Sequence, residues 1–162
     1  MKKLCTLVTA SLAFSAPAFA GFGTSAAVGG PGTFLGHAPT VDYRDEGWLV
    51  QVQALDLIGS IQDDIINTGV SVSRVAPGLK RNIAPEVDGV VMPGGGLRLL
   101  ADTGFDNVGW ALDAHARMGM EMKKGMGFGV YVVPMLGVTN ITTGDLGLAY
   151  GGGVEISTWL IK

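Results

Sequence analysis

Three ionisable side chains alternate within one short segment of the chain: Asp113, His115 and Arg117. A carboxylate can orient an imidazole, and a guanidinium can bind an anion, so the three residues could support acid–base chemistry. The same spacing also fits a ladder of ion pairs along one face of a strand, which is the simpler interpretation. No serine lies two residues from His115 to form a same-strand nucleophile pair. We therefore predict no catalytic residue.

Metal sites have little support in the sequence. His37 lies among glycine and proline residues and far from His115, which is typical of a loop residue rather than of a zinc ligand. The acidic pairs Asp45 with Glu46 and Asp63 with Asp64 lack the alternating ligands of a calcium loop, so solvated turn charges explain them better. We expect no metal and no cofactor.

Two further motifs have structural explanations. The glycines at positions 94–96 resemble a phosphate-binding loop only in composition, because no helix-forming segment follows them. Met118, Met120 and Met122 could bind copper through their thioethers. An apolar row on one face of a strand explains the same period of two more simply.

The strongest pattern is a two-residue alternation over residues 109–123. Successive side chains of a strand point to opposite faces, so the alternation separates an apolar face from a charged face. The apolar set is Trp110, Leu112, Ala114, Ala116, Met118, Met120 and Met122, and the other set contains Asp113, His115, Arg117 and Glu121. A helix would mix the two sets, so we predict a strand.

Similar patterns predict further strands at 40–44, 48–53, 65–75, 90–100, 127–140 and 146–160, with turns at 45–47, 124–125 and 142–145. Residues 77–85 are expected to form a loop, residues 54–62 a strand continuation or a short helix, and residues 21–39 one weak strand or irregular structure. Pro134 should cause a bulge or a local break, because proline cannot donate to a ladder. The predicted fold is all-β, an antiparallel up-and-down meander of about eight strands that closes into a small barrel.

The first 20 residues have the layout of a secretion signal: Lys2 and Lys3, an apolar stretch, and small residues up to Ala20. We expect cleavage after Ala20, a Gly/Pro-rich segment at 21–39 and a barrel domain at 40–162. The only cysteine, Cys5, lies within the signal, so disulfides and thiolate sites are excluded from the rest of the chain. Removal of the two signal lysines leaves 9 of the 11 basic residues and all 14 acidic ones. The resulting net negative charge argues against nucleic acid as a partner.

Alternation alone does not say what the apolar face contacts. In a soluble barrel this face packs inwards, whereas in a membrane barrel it meets lipid and the charged face lines the lumen. The length of the apolar row is close to the ~9–11 residues that a tilted spanning strand needs. Trp48, Trp110 and Trp159 lie near strand ends, where an interfacial aromatic girdle would place them. The residues predicted to face lipid are Trp110, Leu112, Met118 and Met120, and those predicted to lie in the lumen are Asp113, His115, Arg117 and Glu121.

A secretion signal, 142 residues after it, repeated amphipathic hairpins and a C-terminal amphipathic strand together resemble the small outer-membrane β-barrels of Gram-negative bacteria. The resemblance covers most of residues 40–160. It implies an outer-membrane location, with lipid and the barrel-assembly machinery as partners, and a structural or surface-interaction role without an open pore. The chain departs from the family at residues 159–162, because such barrels typically end in an aromatic residue.

Two alternatives stay open at the level of sequence. The chain could be a soluble periplasmic β-barrel that binds a small or lipidic ligand in its cavity. It could also be an envelope lipid-modifying enzyme that uses His115. Membrane fractionation separates the first alternative from the membrane barrel, and mutation of His115 tests the second.

Overall fold

The computed structural model describes residues 22–29, 39–45, 47–53, 65–124, 126–141 and 146–160. These residues form nine strands and one short 3₁₀ helix, and no α-helix occurs among them. The strands are β1 (Phe22–Gly29), β2 (Thr40–Arg44), β3 (Trp48–Gln53), β4 (Ile65–Arg74), β5 (Arg81–Ala84), β6 (Val87–Asp102), β7 (Val108–Lys124), β8 (Met126–Ile141) and β9 (Leu146–Leu160), and the 3₁₀ helix spans Pro77–Leu79. No helix in this part of the chain is long and apolar enough to cross a membrane.

Eight of the nine strands close into an antiparallel barrel. Each of them pairs with its neighbours along the chain, β4 pairs with β6, and β9 returns to pair with β1 and closes the sheet. The extra strand, β5, pairs with the first residues of β6 and lies outside the closed ring. The predicted all-β, up-and-down barrel of about eight strands is confirmed.

The stagger of the barrel follows from directly opposed residues around the ring. Starting on β7, the opposed residues are Lys123, Gly127, Trp159, Gly23, Asp42, Gln51, Ser71, Gly96 and finally Asp113, ten residues from the start. The offset of ten residues, at ~3.3 Å each, accumulates along the strands over one circuit of eight strand spacings of ~4.8 Å. The ratio of these two lengths gives a strand tilt of about 40° from the barrel axis. A barrel of eight strands is just wide enough for side chains to fill its interior.

Prolines lie where the ladder can tolerate them. Pro93 lies between the residues of β6 that pair with β5 and those that pair with β4, so its missing N–H removes no ladder bond on that edge. Pro134 of β8 lies opposite Ala116, where the pairing of β7 with β8 is interrupted. The break predicted at Pro134 is therefore confirmed, and its cause is the absent proline N–H.

Two regions refine the sequence prediction. The loop predicted over 77–85 is wrong for most of its length, because the 3₁₀ helix and β5 occupy it and β5 turns back onto β6 through Glu86, which has a φ of 67°. In the segment 21–39, the sequence allowed a weak strand or irregular structure, and the structure forms β1, whose pairing with β9 closes the ring. The barrel thus begins at Phe22 rather than at residue 40.

Several predictions fall on residues that the structure does not describe. They concern the signal at 1–20, His37, Glu46, residues 54–62, Asp63 and Asp64, Gly125, and the turn at 142–145.

Candidate functional site

Polar and charged side chains fill the middle of the barrel. The buried set is Ser25, Asp42, Gln51, Gln53, Asn67, Ser71, Ser73, Arg98, Asp113, His115, Arg117, Glu121, Glu155 and Ser157. These residues alternate with exposed ones along β1–β4, β6, β7 and β9, so they occupy the inward face of the wall. All four residues that the sequence assigned to the lumen lie in this set. No three His, Cys, Asp or Glu side chains among the described residues come together as metal ligands.

Arg117 is the centre of the interior network. Its Nε donates to both oxygens of the Glu155 carboxylate, at 3.2 and 3.0 Å. The two Nη atoms contact Ser73 Oγ, His115 Nε2, Gln51 Oε1 and Ser71 Oγ. A buried guanidinium needs a carboxylate and further hydrogen bonds to offset its lost hydration, and Arg117 has both.

His115 connects Asp113 to a serine from another strand. Its Nδ1 lies 2.5 Å from Asp113 Oδ1, and its Nε2 lies 3.0 Å from Ser73 Oγ. The contact reaches across β6 from β4 to β7, and it depends on Gly94, where a Cβ would collide with Ser73 and lie 2.8 Å from His115 Nε2. Ser73 lies 42 residues before His115 in the chain, so only the strand register brings the two side chains together.

These contacts have the connectivity of a Ser–His–Asp hydrolase triad, but the hydroxyl is not free. Ser73 is only 1% exposed, and Arg117 donates to its Oγ. A nucleophile must be reachable by the atom that it attacks. The trio therefore contributes hydrogen bonds to the filled interior and offers no open nucleophile among the described residues.

Asp42 is a buried carboxylate held by neutral donors. The hydroxyls of Ser25, Thr40 and Ser157 and the amide of Gln51 all donate to it, the last two at 3.2 and 3.4 Å. Several donors to one carboxylate replace the hydration that burial removes. This role could not be predicted from the alternation in β2, because the strand has only five residues.

A separate group of side chains fills the barrel near the end where β1 starts and β9 stops. Arg44 pairs with Glu121, which also accepts from the Tyr131 hydroxyl at 2.9 Å. The Arg44 guanidinium lies 5.0 Å from the ring centroid of Trp159 and 3.3 Å from the Met92 sulfur. Trp159 is 7% exposed, so its predicted place in an outer aromatic girdle is wrong: it shares the inward parity of Glu155 and Ser157.

The outward face of the wall is apolar. Trp110, Leu112, Met118 and Met120 are 37, 47, 42 and 55% exposed. The same face continues around the ring through Val41, Val52, Val70, Leu97, Leu99, Val130, Val132, Leu136, Val154 and Ile156. Among the outward side chains that the structure describes on the eight barrel strands, Arg74 carries the only charge, and it is the last residue of β4.

Fold and side-chain distribution together define a class: a small antiparallel β-barrel with an apolar outer wall, whose filled interior combines ion pairs and polar side chains with a buried apolar cluster. No family model, curated protein or solved structure matches the chain.

Proposed function

We propose that the chain is an outer-membrane β-barrel of Gram-negative type, with a structural or surface-interaction role and no open pore. The observation that carries the proposal is the inverted wall, which has charges inside and apolar side chains outside around the ring. Soluble monomers rarely expose apolar patches beyond a few hundred Å², whereas a membrane barrel presents such a band to lipid.

The dimensions support the same conclusion. The outward row of β7 runs from Trp110 to Met122, about 40 Å along the strand and about 30 Å along the axis at the tilt given above. The hydrocarbon core of a bilayer is about 30 Å thick. Trp48 and Trp110, which are exposed near opposite ends of the barrel, suit the two interfaces.

The interior favours a structural role over transport or ligand storage. The cavity found there has a volume of only about 20 Å³, and Arg98, Arg117 and Glu155 form part of its lining. A lipidic ligand needs a mostly apolar pocket of several hundred Å³. The soluble ligand-binding alternative thus lacks a matching cavity in the described structure, and the buried Ser73 gives the enzyme alternative no support. Lipid and the barrel-assembly machinery are the proposed partners.

Fractionation of a Gram-negative host that expresses the full chain tests the proposal. We expect the folded protein in the outer-membrane fraction, extracted only by detergent, with a gel mobility that changes on heating. Reconstituted protein should give no steady conductance in planar bilayers. Recovery of the folded protein from the periplasm in detergent-free buffer would overturn the membrane assignment.

A further inference from the structure

A small pocket lies beside Gln53 in the polar interior. Its volume is about 20 Å³, and its lining includes Gln51, Gln53, Ser71, Arg98, Arg117 and Glu155. A buried water needs roughly 10–15 Å³ measured in this way, so the pocket has room for a single water molecule. The lining also includes part-exposed Thr40 and Gly69, so the pocket lies towards the end of the barrel where β3 stops.

The Gln53 amide is oriented by its neighbour. Arg98 Nη1 donates to the Gln53 oxygen Oε1. A guanidinium has only donors, so the opposite amide orientation would place two donors against each other. The Gln53 nitrogen Nε2 is therefore fixed as a donor on the other side of the amide. It is buried, and no acceptor for it occurs among the described residues. Buried donors are almost always paired, which indicates an occupant.

The lining of the pocket indicates what that occupant is. The Glu155 carboxylate lines the pocket, and an anion could not donate a hydrogen bond to it. A water can accept from Gln53 and donate to the carboxylate.

We propose that this pocket is a binding site for one ordered water molecule, which accepts from Gln53 Nε2 and completes the hydrogen bonding between β3, β6, β7 and β9. The water site depends on the filled interior and not on what surrounds the barrel. Evidence against the membrane assignment would therefore not affect the proposed water site.

Nuclear magnetic resonance of the folded full chain provides the first test. We expect cross-relaxation between the Gln53 side-chain amide protons and a water that stays bound for longer than nanoseconds. The Gln51 amide, which donates to Glu155 at 2.8 Å and to Ser25 at 2.9 Å, gives the reference signal in the same molecule. Gln53 side-chain amide protons that exchange rapidly with solvent and show no cross-relaxation with a bound water would overturn the proposal.

Crystallography provides the second test and separates water from a halide. We expect density for one water within hydrogen-bonding distance of Gln53 Nε2, and loss of that density in Gln53→Met, which keeps the side-chain length and removes the donor. An anomalous peak in the pocket after bromide soaking would show that the pocket binds an anion, which would contradict the proposal. A pocket without any density would contradict it as well. If the variant fails to fold, the wild-type density and the resonance measurement still decide.

Discussion

The two faces of β7 lie in opposite environments along a single stretch of chain. Outward residues Leu112 and Met120 are about half exposed, whereas inward residues Arg117 and Glu121 are 1% exposed. A water-soluble barrel exchanges these positions, because burial of apolar side chains is its main source of stability. The contrast teaches that ion pairs and hydrogen bonds share the interior of this barrel with a buried apolar cluster that includes Met92, Tyr131 and Val133. The outer wall is the apolar face that the proposed bilayer would cover.

Removing Arg117 should have the largest effect. Arg117→Ala leaves the buried Glu155 carboxylate without its cation and removes the hydrogen bonds that Arg117 donates to Gln51 and Ser73, so we expect a loss of about 3–5 kcal/mol in the free energy of unfolding. Urea unfolding of the folded protein, followed by tryptophan fluorescence, measures this loss. The matched variant is Arg117→Met combined with Glu155→Leu, which should recover much of the stability, since both charges are gone. Equal losses in the two variants would show that the missing ion pair and its hydrogen bonds, and not the unpaired charge or the lost volume, set the effect.

A charge placed on the outward face of β7 should impair insertion of the barrel into the proposed membrane. Met118→Lys places an ammonium on the outward wall close to the middle of the row from Trp110 to Met122, and we expect a cost of ~2–4 kcal/mol and reduced insertion into the proposed bilayer. Met118→Leu is the control and should insert normally. The amount of heat-modifiable protein in the outer-membrane fraction measures the difference. Unchanged recovery of the lysine variant would mean that water, not lipid, covers this face.

Adding one methyl group at Gly94 or at Gly95 tests the inward and the outward face of β6 separately. Gly94 points inwards against Ser73 and His115, so Gly94→Ala should cost about 1–3 kcal/mol through overpacking. Gly95 points outwards, and a Cβ there meets only the Asp113 carbonyl oxygen, at 3.0 Å. Gly95→Ala should therefore have the smaller effect. The urea concentrations at the unfolding midpoint compare the two variants. A larger loss of stability in Gly95→Ala than in Gly94→Ala would mean that Gly95, and not Gly94, faces the interior.

The smallest expected effect lies beyond the wall, in the turn after β6. The Asn107 side chain donates to Asp102 Oδ2 at 2.6 Å and the Asp106 N–H donates to Oδ1 at 2.8 Å. These bonds, the Asn107 side chain first, lower the pKa of Asp102 below its ordinary value. A lowered pKa contributes stability above the unfolded pKa of about 3.9, and this contribution is lost as the pH falls through the folded value.

Asp102→Ala should therefore lower the urea midpoint slightly at pH 7, and its difference from the wild type should shrink as the pH falls below 4. Asp106→Ala provides the comparison, because it keeps the Asp102 carboxylate. A difference between Asp102→Ala and the wild type that is independent of pH would mean that the carboxylate charge has no part in ordering this turn.

The sequence predicts most of the barrel because long strands repeat their pattern many times. β7 has 17 residues and β9 has 15, so the alternation in each strand is unmistakable. β1 and β5 have eight and four residues among glycines and prolines, and tertiary pairing, rather than local pattern, defines them.

The interior could be predicted only in part. Alternation places Asp113, His115, Arg117 and Glu121 on one face of one strand, and the structure has them on the inward face. Their partners Ser73, Glu155 and Arg44 come from three other strands, and only the register of the closed ring brings them within reach. Trp159 illustrates the same limit, because a position near a strand end does not reveal which way the side chain points.

Closure by the first and last strands has a consequence for biogenesis. Until β9 has been synthesised, β1 and β8 each lack a partner on one side, and the chain presents two open rows of backbone donors and acceptors. The interior ion pairs that need Glu155 are missing at the same stage. A chain that lacks β9 therefore cannot close this ring, and its two unpaired edges stay available for pairing with other strands.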